Sequence, residues 1–492
     1  MSAAGKAIPL HGLRRRALSL GAAKAFDYAM QFLLPVVLVR CLDTVTFGEY
    51  RLLWLAVGTL MYIATFNMPQ SLYLFLPRSN PRLKRLYINQ TLVFLCFSGL
   101  VCAWLVSPWN PWLPAALLPL AHYGPLVPAF IALWLLAFML DFLPTVDERV
   151  SWQARVSITL SALRVVILGV GAYYSGSMEV LLWLLLAFVV LKLAVLLGYI
   201  ARHHGLHRPL LEKAVFKDQV SQAAPIGFSI ALFGMRWQLD QWIAAHLFSL
   251  ASFAAFSVAG TLGQLVNVFR SSVNEAFLPS MSRLQAAGDA RGMLELNSRA
   301  NVMVGVLLYP ILAFTFVFAE EIISVVYTAA YLEAAPVMRL YILAFAVMVI
   351  EVGSVMLLLS QGKFAMRLNL VLLAVSGAAS WTAAAHFGLV GAAAGGVLSI
   401  YLDRAATLRR IAARTGIPLR ELQDWRGLGL AIVYAALAAL LAWGVIKTWF
   451  AGETPLERLA VGGAVLAAVH ALTLSLIEKR KTSLKRAAAG EP

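Results

Sequence analysis

Charged and amide side chains interrupt several long apolar stretches of this sequence, and their spacing is the first indication of chemistry. Lys24, Asp27 and Gln31 are spaced i, i+3 and i+7, so that one face of a helix carries all three. An ionisable group inside a bilayer costs about 2.5–3.5 kcal/mol on insertion scales, and such groups usually mark a path for a substrate or an ion. This stretch therefore predicts a binding or ion-coupling position.

A second polar region lies near the middle of the chain. Arg236 and Asp240 are spaced i and i+4, and the next apolar stretch carries a stripe of polar residues with Arg270 on its flank. The stripe consists of Gln264, Asn267, Ser271, Asn274 and Glu275. It is too long and too polar to face lipid, so we predict that it faces a watery cavity.

The cations of these stretches indicate the charge of the ligand. A guanidinium fork matches two phosphate oxygens, so Arg residues suit a phosphate-bearing substrate. We predict a substrate-binding set that consists of Lys24, Arg51, Arg236, Gln264, Asn267 and Arg270. The acids Asp27, Asp240 and Glu275 are predicted to balance these charges or to carry a coupling proton or sodium ion.

Some of these assignments have a simpler alternative. The pairs Lys24–Asp27 and Arg236–Asp240 can also act as neutralised contacts that only hold helices together. Three further ionisable residues are more isolated in the sequence, namely Arg164, Lys192 and Glu351. Because Lys192 lies near the end of an apolar stretch, we expect its side chain to extend toward the membrane surface.

The composition excludes most classes of protein. Hydrophobic residues make up 61% of the chain and charged residues 13%, whereas a soluble domain is typically about half apolar and a quarter charged. So few charges cannot cover a surface of this size in water, and the apolar content excludes a disordered chain. With 34 Gly and 3 Cys, the chain is neither collagen-like nor a disulfide scaffold.

The elements that position the polar residues are predicted from hydropathy. A membrane-crossing helix needs about 20 mostly apolar residues, and the sequence contains about fourteen such stretches, the eleventh and twelfth joined by residues 388–391 only. They cover residues 17–40, 50–76, 87–106, 126–144, 157–175, 179–200, 223–248, 253–278, 301–325, 336–360, 368–387, 390–408, 428–449 and 458–477. The sequence thus predicts an all-α polytopic membrane protein.

The positive charge of the chain indicates its orientation. The net charge is +16, from 40 Lys and Arg against 24 Asp and Glu. Most of the basic residues fall at the N-terminus, in alternate loops and in the C-terminal tail, and cytoplasmic loops collect such residues. Both termini are therefore predicted to be cytoplasmic. Because the basic residues are dispersed over many short loops, a nucleic-acid-binding surface is excluded.

A short turn recurs within the chain at an offset of 206 residues. Leu-Asp-Thr-Val-Thr-Phe-Gly-Glu-Tyr at 42–50 aligns with Phe-Ser-Leu-Ala-Ser-Phe-Ala-Ala-Phe at 248–256, and each lies between two long apolar stretches. The repeat predicts two parallel six-helix lobes around a central cavity, formed by residues 1–210 and 211–425. Residues 426–492 are predicted to add two C-terminal helices and a basic cytoplasmic tail.

The sequence shows no catalytic or metal-binding motif. It lacks a Gly-x-Ser-x-Gly elbow, a Walker loop and a His-Glu-x-x-His pair, and its three cysteines do not have metal-ligand spacing. We therefore predict that the protein is not an enzyme, that it needs no metal or cofactor, and that it is not driven by ATP bound to this chain.

Several short segments follow one another in the order found in a known family. The first runs from Val39-Arg40-Cys41-Leu42 through Phe47-Gly48-Glu49-Tyr50. The later segments are Asp240 with Phe253 to Ala259, Leu278-Pro279-Ser280-Met281-Ser282-Arg283 with Gly288-Asp289, Pro310, Glu320-Glu321-Ile322-Ile323 with Tyr327 and Tyr331, and Gly388-Leu389-Val390-Gly391-Ala392-Ala393. Over roughly residues 15–410, the chain resembles polysaccharide-repeat flippases of the Wzx type, within the multidrug/oligosaccharidyl-lipid/polysaccharide exporter superfamily.

The resemblance implies a function and partners. It implies two six-helix lobes with alternating access, and export of undecaprenyl-pyrophosphate-linked oligosaccharide across the bacterial inner membrane for exopolysaccharide, capsule or O-antigen synthesis. Its partners would be this glycan, membrane lipids, a polysaccharide polymerase and glycosyltransferases, and the cationic residues would hold the pyrophosphate and glycan. The alternatives are an ion-coupled multidrug exporter of the same superfamily, a lipid II flippase, and a non-transporting scaffold, which has no use for buried charges.

Overall fold

The computed structural model describes residues 10–205 and 209–489, without the side chains of 10–20, 22–24, 262, 264, 265, 268, 474 and 476–489. The described residues form nineteen α-helices joined by turns and short 3-10 segments, and none of them lies in a β-strand. The all-α class predicted from the sequence is confirmed.

The helices follow one another along the chain with short connections. The first nine are α1 (Leu10–Cys41), α2 (Thr44–Ala64), α3 (Met68–Phe75), α4 (Pro81–Leu105), α5 (Leu118–Ala121), α6 (Leu126–Ala137), α7 (Leu143–Val146), α8 (Val150–Ser175) and α9 (Met178–His203). The other ten are α10 (Lys213–Leu247), α11 (Leu250–Ala259), α12 (Leu262–Ala286), α13 (Ala290–Val317), α14 (Ala319–Val326), α15 (Ala334–Met348), α16 (Gly353–Leu358), α17 (Gly362–Thr415), α18 (Trp425–Trp449) and α19 (Pro455–Ala489).

The number of membrane spans is lower than predicted when length and hydropathy are applied to the described helices. Eight helices qualify, or nine if α2 and α3, which are bent by 44°, form one span. The bend lies at Phe66 and Asn67, whose φ angles of 46° and 60° are in the left-handed region. Each of the predicted stretches falls on a helix or on two successive helices, but the predicted number of fourteen is not confirmed.

The turn between α1 and α2 recurs between α10 and α11. The residues that end α1 and begin α2 lie 206 positions before those that end α10 and begin α11. Asp43 accepts hydrogen bonds from the Thr46 hydroxyl at 2.7 Å and the Thr46 N–H at 3.0 Å, and these bonds lower the pKa of its carboxyl. Ser249 accepts one from the N–H of Ser252 at 3.2 Å. In both turns a short polar side chain caps the next helix.

The contacts divide the chain into two compact units, each of which is described separately below. The N-terminal unit consists of Met1–Gln238 and Ser249–Ala254, and the C-terminal unit consists of Leu239–Phe248 and Ala255–Pro492. This division falls within α10. The lobe boundaries predicted after residues 210 and 425 stay predictions.

The N-terminal unit is built on three helix contacts. α8 packs along α1, and α6 packs against both α4 and α9. Its core contains fully buried aliphatic side chains from α3, α4 and α9, among them Leu72, Ile88 and Leu196. Because α8 also packs against α9, the three helices α1, α8 and α9 lie side by side.

A nearly buried carboxyl joins two helix ends of this unit. One oxygen of Asp147, in the turn before α8, accepts hydrogen bonds from the Tyr199 hydroxyl at 2.8 Å and from Nε2 of His204 at 2.6 Å. Burial raises the pKa of the Asp147 carboxyl, but the hydrogen bonds from His204 and Tyr199 outweigh this effect and leave the pKa below its usual value. The contact ties the end of α9 to the start of α8.

In the C-terminal unit, α13 packs against α12 and α18, α15 packs against α17, and α18 packs against α19. A core of Met281, Met293, Val355 and Ile411 joins α12, α13, α16 and α17. This packing places the polar stripe of α12 beside the segment between α15 and α16.

α17 turns back on itself at Gly388, where φ is 59° and ψ is −139°. Its two arms pack closely because their contact is lined by glycine. A Cβ atom at Gly391 would lie 2.0 Å from the carbonyl oxygen of Ala383, and one at Gly395 would lie 2.3 Å from that of Ser376. The turn falls within the 388–391 connection predicted from the sequence.

The hairpin predicts opposite effects for two glycine substitutions. Gly391→Ala should lower the free energy of unfolding by about 1–3 kcal/mol, because the new methyl group would meet a backbone oxygen that cannot move freely. Gly444→Ala, in α18 with open space around it, should leave stability unchanged or raise it by up to about 1 kcal/mol through helix propensity. Thermal unfolding in detergent measures both, and equal melting temperatures for the two variants would contradict the close packing.

Candidate functional site

The N-terminal unit contains a polar cavity of about 480 Å³. Its wall is formed by α1, α8 and α9, with contributions from α3 and from the segment that connects α6 to α7. The charged residues that line it are Asp27, Asp141, Arg164 and Lys192. A concave space with a few convergent polar groups is typical of a small-molecule site.

Two helices direct their polar faces into this cavity. On α8 the lining residues Gln153, Ser157, Ser161 and Arg164 recur at i, i+4, i+8 and i+11. These positions lie on one face of a helix, which packs against α1. The opposing face of α1 carries Asp27, so that polar side chains of both helices meet in the cavity.

Asp27 is held by side chains from both helices. Its Oδ2 accepts a hydrogen bond from Nε2 of Gln31 at 2.7 Å, and its Oδ1 accepts one from the hydroxyl of Ser161. The face that Asp27 and Gln31 share was predicted from their spacing. Ser161, 134 residues away in the chain, is a partner that the spacing does not indicate.

Lys192 lies deep inside the unit. Its Nζ is 2.9 Å from Oδ2 of Asp141 and 4.9 Å from the ring centroid of Trp134, and its side chain is 9% exposed. The expectation that Lys192 extends to the membrane surface is therefore wrong. The physical reason is that Asp141, on the neighbouring 3-10 segment Phe138–Asp141, neutralises the ammonium group inside the unit.

Arg164 completes the charged lining. Its guanidinium carbon lies 5.8 Å from the ring centroid of Trp54, a geometry that favours a cation. Its Nε is buried and has no hydrogen-bond partner among the described residues, and the same is true of Oε1 of Gln153. Two residues of the cavity wall thus carry a buried donor and a buried acceptor that the described side chains leave unused.

Two predicted cations of this unit, Arg51 and Arg236, are not among the described residues that line the cavity. Arg236 is buried on α10, with its guanidinium carbon 5.9 Å from the ring centroid of Phe233, and Arg51 is half-buried on α2. Two glycines let α10 approach α2. A Cβ at Gly234 would lie 2.2 Å from the Tyr62 ring, and one at Gly227 would lie 2.6 Å from the backbone of Phe66, at the bend after α2. The predicted site residue Lys24 has its side chain outside the described residues.

In the C-terminal unit, Arg270 forms an ion pair with Glu351 and donates a hydrogen bond to Oδ1 of Asn267 at 3.0 Å. Glu351 is itself fixed, because its carbonyl accepts from Asn297 at 3.0 Å and from Asn301 at 3.2 Å. Glu351 was regarded as isolated in the sequence. The structure makes it the direct partner of a predicted substrate-binding residue.

The polar stripe of α12 is used in part for packing. Asn274 donates a hydrogen bond to Ser354 at the start of α16, whereas Glu275 is exposed. The side chain of Gln264, also predicted to bind the substrate, lies outside the described residues. The stripe is therefore divided between contacts inside the C-terminal unit and an exposed face.

Asp240, the predicted coupling acid of α10, is buried in the C-terminal unit. It accepts a hydrogen bond from the Tyr341 hydroxyl at 2.6 Å. Gly396, in the second arm of α17, leaves space for the Asp240 side chain, since a Cβ at position 396 would lie 2.6 Å from Oδ2 of Asp240. A buried carboxyl with a neutral partner suits a group that exchanges a proton or binds a cation.

The structure adds polar cavity residues to the predicted set, among them Asp141, Gln153, Ser157 and Ser161. Asp141 is an acid inside an apolar stretch, and the α8 residues recur at helical spacing, so both signals are present in the sequence. Within the described residues, no three His, Cys, Asp or Glu side chains are placed to hold a metal ion.

The sequence profile of a family described as "Polysaccharide biosynthesis protein" matches residues 147–336. No curated protein matches the sequence significantly. Among solved structures, the lipid II flippase MurJ in an inward closed conformation shares the fold with a TM-score of 0.62 and 12% identity, over 93% of this chain and 99% of that chain.

Two MATE transporters also share the fold. An inward-facing MATE family transporter of the MOP superfamily matches with a TM-score of 0.57 and 12% identity, over 81% of this chain and 96% of that chain. The MATE transporter VcmN of Vibrio cholerae matches with a TM-score of 0.53 and 11% identity, over 83% of this chain and 97% of that chain. The resemblance inferred from the sequence is confirmed, and the chain is a multi-pass membrane protein with the fold of these transporters.

Proposed function

We propose that this protein moves an oligosaccharide repeat unit, linked to undecaprenyl pyrophosphate, from the cytoplasmic to the periplasmic leaflet of the bacterial inner membrane by alternating access. The observation that carries the proposal is the match of residues 147–336 to a polysaccharide biosynthesis family in a chain with a transporter fold. Such a protein would supply exopolysaccharide, capsule or O-antigen synthesis, beside glycosyltransferases and a polymerase. Both termini lie in the cytoplasm in this proposal.

The predicted polar residues have different roles in this proposal. Lys24, Arg51, Arg236 and Arg270 would attract the pyrophosphate, because guanidinium and ammonium groups bind phosphate oxygens strongly in a water-poor site. Gln264 and Asn267 would add amide hydrogen bonds. The acids Asp27, Asp240 and Glu275 would balance these charges or carry a coupling proton or sodium ion.

A lipid II flippase is the second candidate, since MurJ covers 93% of this chain while the two MATE transporters cover 81% and 83%. A multidrug exporter remains the third. Deleting the gene distinguishes the three. Loss of surface polymer with normal cell walls is expected for the main proposal, cell lysis for lipid II transport, and drug sensitivity for an exporter.

Charge reversal at Arg236 tests the proposal directly. In the deletion strain, Arg236→Glu should reduce surface polymer at least tenfold, because a buried carboxylate would repel the pyrophosphate. Arg236→Lys should retain measurable export, since it keeps the charge. Arg202→Glu, on the exposed last turn of α9, is the matched control and should export normally. Full export by Arg236→Glu, at wild-type membrane levels, would remove Arg236 from the substrate site.

A further inference from the structure

The charges of the described residues that line the cavity of the N-terminal unit balance one another. Among its described lining residues, Asp27 and Asp141 oppose Arg164 and Lys192, and the Lys192–Asp141 distance is 2.9 Å. A pyrophosphate would have to displace a carboxylate from its partner and would face the second one at close range. The cavity is therefore poorly suited to the charged part of a lipid-linked glycan.

The polar atoms of the wall that lack a partner suit a hydroxyl group better than a phosphate. Arg164 Nε can only donate a hydrogen bond, and Gln153 Oε1 can only accept one. Both are buried and have no hydrogen-bond partner among the described residues. A phosphate oxygen would serve only the donor, and an ammonium group would serve only the acceptor. A hydroxyl group donates and accepts, so a ligand with several hydroxyls can serve both atoms.

Aromatic side chains form a large part of the remaining wall. Trp134, Phe142, Phe188 and Tyr73 line the same cavity as the polar stripe of α8. A sugar ring has apolar C–H faces and a rim of hydroxyls, and it therefore needs aromatic surface and hydrogen-bonding groups together. The volume of about 480 Å³ lies in the range of small-molecule sites.

We infer that this cavity binds a sugar of the glycan and does not bind the pyrophosphate. The inference rests on the proposed function, which it deepens by separating the two parts of the substrate. In this arrangement Arg164 and Gln153 bind sugar hydroxyls, the aromatic side chains contact the ring faces, and the Lys192–Asp141 pair keeps the wall neutral. The phosphate is held by Arg51, Arg236 and Arg270, which are not among the described residues that line this cavity.

Binding of free sugars to the full-length protein tests this assignment. The protein is placed in lipid nanodiscs, because many detergents themselves carry sugars, and saturation-transfer NMR is recorded with glucose, N-acetylglucosamine and glucuronate. Inorganic pyrophosphate is followed separately by ³¹P line width. We expect saturable transfer to at least one sugar, and a signal at least tenfold lower in Gln153→Leu and in Arg164→Lys. Tyr173→Ala, an exposed aromatic outside the cavity, is the matched control and should bind as the wild type does.

Two results would overturn the inference. In the first, no sugar gives a signal, or the signal stays the same in Gln153→Leu and in Arg164→Lys. This result would mean that water alone fills the cavity. The other is binding of pyrophosphate that the same variants abolish. Neither result touches the proposed function, which stands or falls with polymer export by the deletion strain and by Arg236→Glu. Loss of that function with intact sugar binding would instead identify a different sugar-binding transporter.

Discussion

We expect Arg270→Glu to abolish polymer export, and we expect that exchanging the two charges in Arg270→Glu/Glu351→Arg will not restore it. The single variant places two carboxylates in contact inside the C-terminal unit, where Arg270 and Glu351 are 21% and 11% exposed in the wild type. Separating such a pair costs about 3–5 kcal/mol when it is fully buried, and less at this exposure. Loss of export by the single variant alone therefore does not distinguish a structural role from substrate binding.

The double variant makes that distinction. It re-forms an ion pair and should return the protein to wild-type membrane levels and thermal stability. The new guanidinium would extend from position 351, whose backbone is fixed by Asn297 and Asn301. The cation would then no longer occupy the place from which Arg270 meets the substrate. Surface polymer below about a tenth of the wild-type amount is the expected result, which corresponds to about 1.4 kcal/mol of lost interaction. Wild-type export by the double variant would show that Arg270 serves only the ion pair.

Lys192→Met should destabilise the protein by about 1–3 kcal/mol, and Lys192→Met/Asp141→Leu should recover most of the loss. The single substitution leaves the Asp141 carboxylate facing the cavity without its partner, and an unpaired charge in such a place is costly. The expected loss of stability is at the lower end for a broken ion pair, because the Asp141 side chain is 42% exposed and water can solvate it. The double substitution removes both charges and leaves apolar groups of similar size.

Lys447→Met provides the matched control for this experiment. The Nζ of Lys447 lies 4.7 Å from the ring centroid of Trp443, much as Lys192 lies over Trp134, but Lys447 is exposed near the end of α18. Its loss should change stability by less than about 0.5 kcal/mol. Thermal unfolding in nanodiscs compares the variants. Equal melting temperatures for Lys192→Met and Lys447→Met would show that the pair with Asp141 contributes nothing to stability.

The helical elements of this protein are determined by local properties of the sequence. Apolar length alone predicts the helices, because the backbone of a lipid-exposed segment must satisfy its own hydrogen bonds. The turn between α1 and α2 recurs 206 residues later between α10 and α11, and the helices on both sides of the two turns end and begin at the same offset. The shared face of Asp27 and Gln31 also follows from spacing, since 3.6 residues per turn places them together.

The partners of the polar residues were decided only by the tertiary structure. Asp27 meets Ser161 from α8, Lys192 meets Asp141, and Arg270 meets Glu351, all between segments far apart in the chain. Helical periodicity shows which side of a helix is polar, but not which helix faces it. A lysine near a helix end stays inside the protein when a carboxylate on a neighbouring segment pairs with it. Without such a partner, its side chain extends to the membrane surface. That depends on how α6 and α9 pack, which is a long-range property of the whole unit.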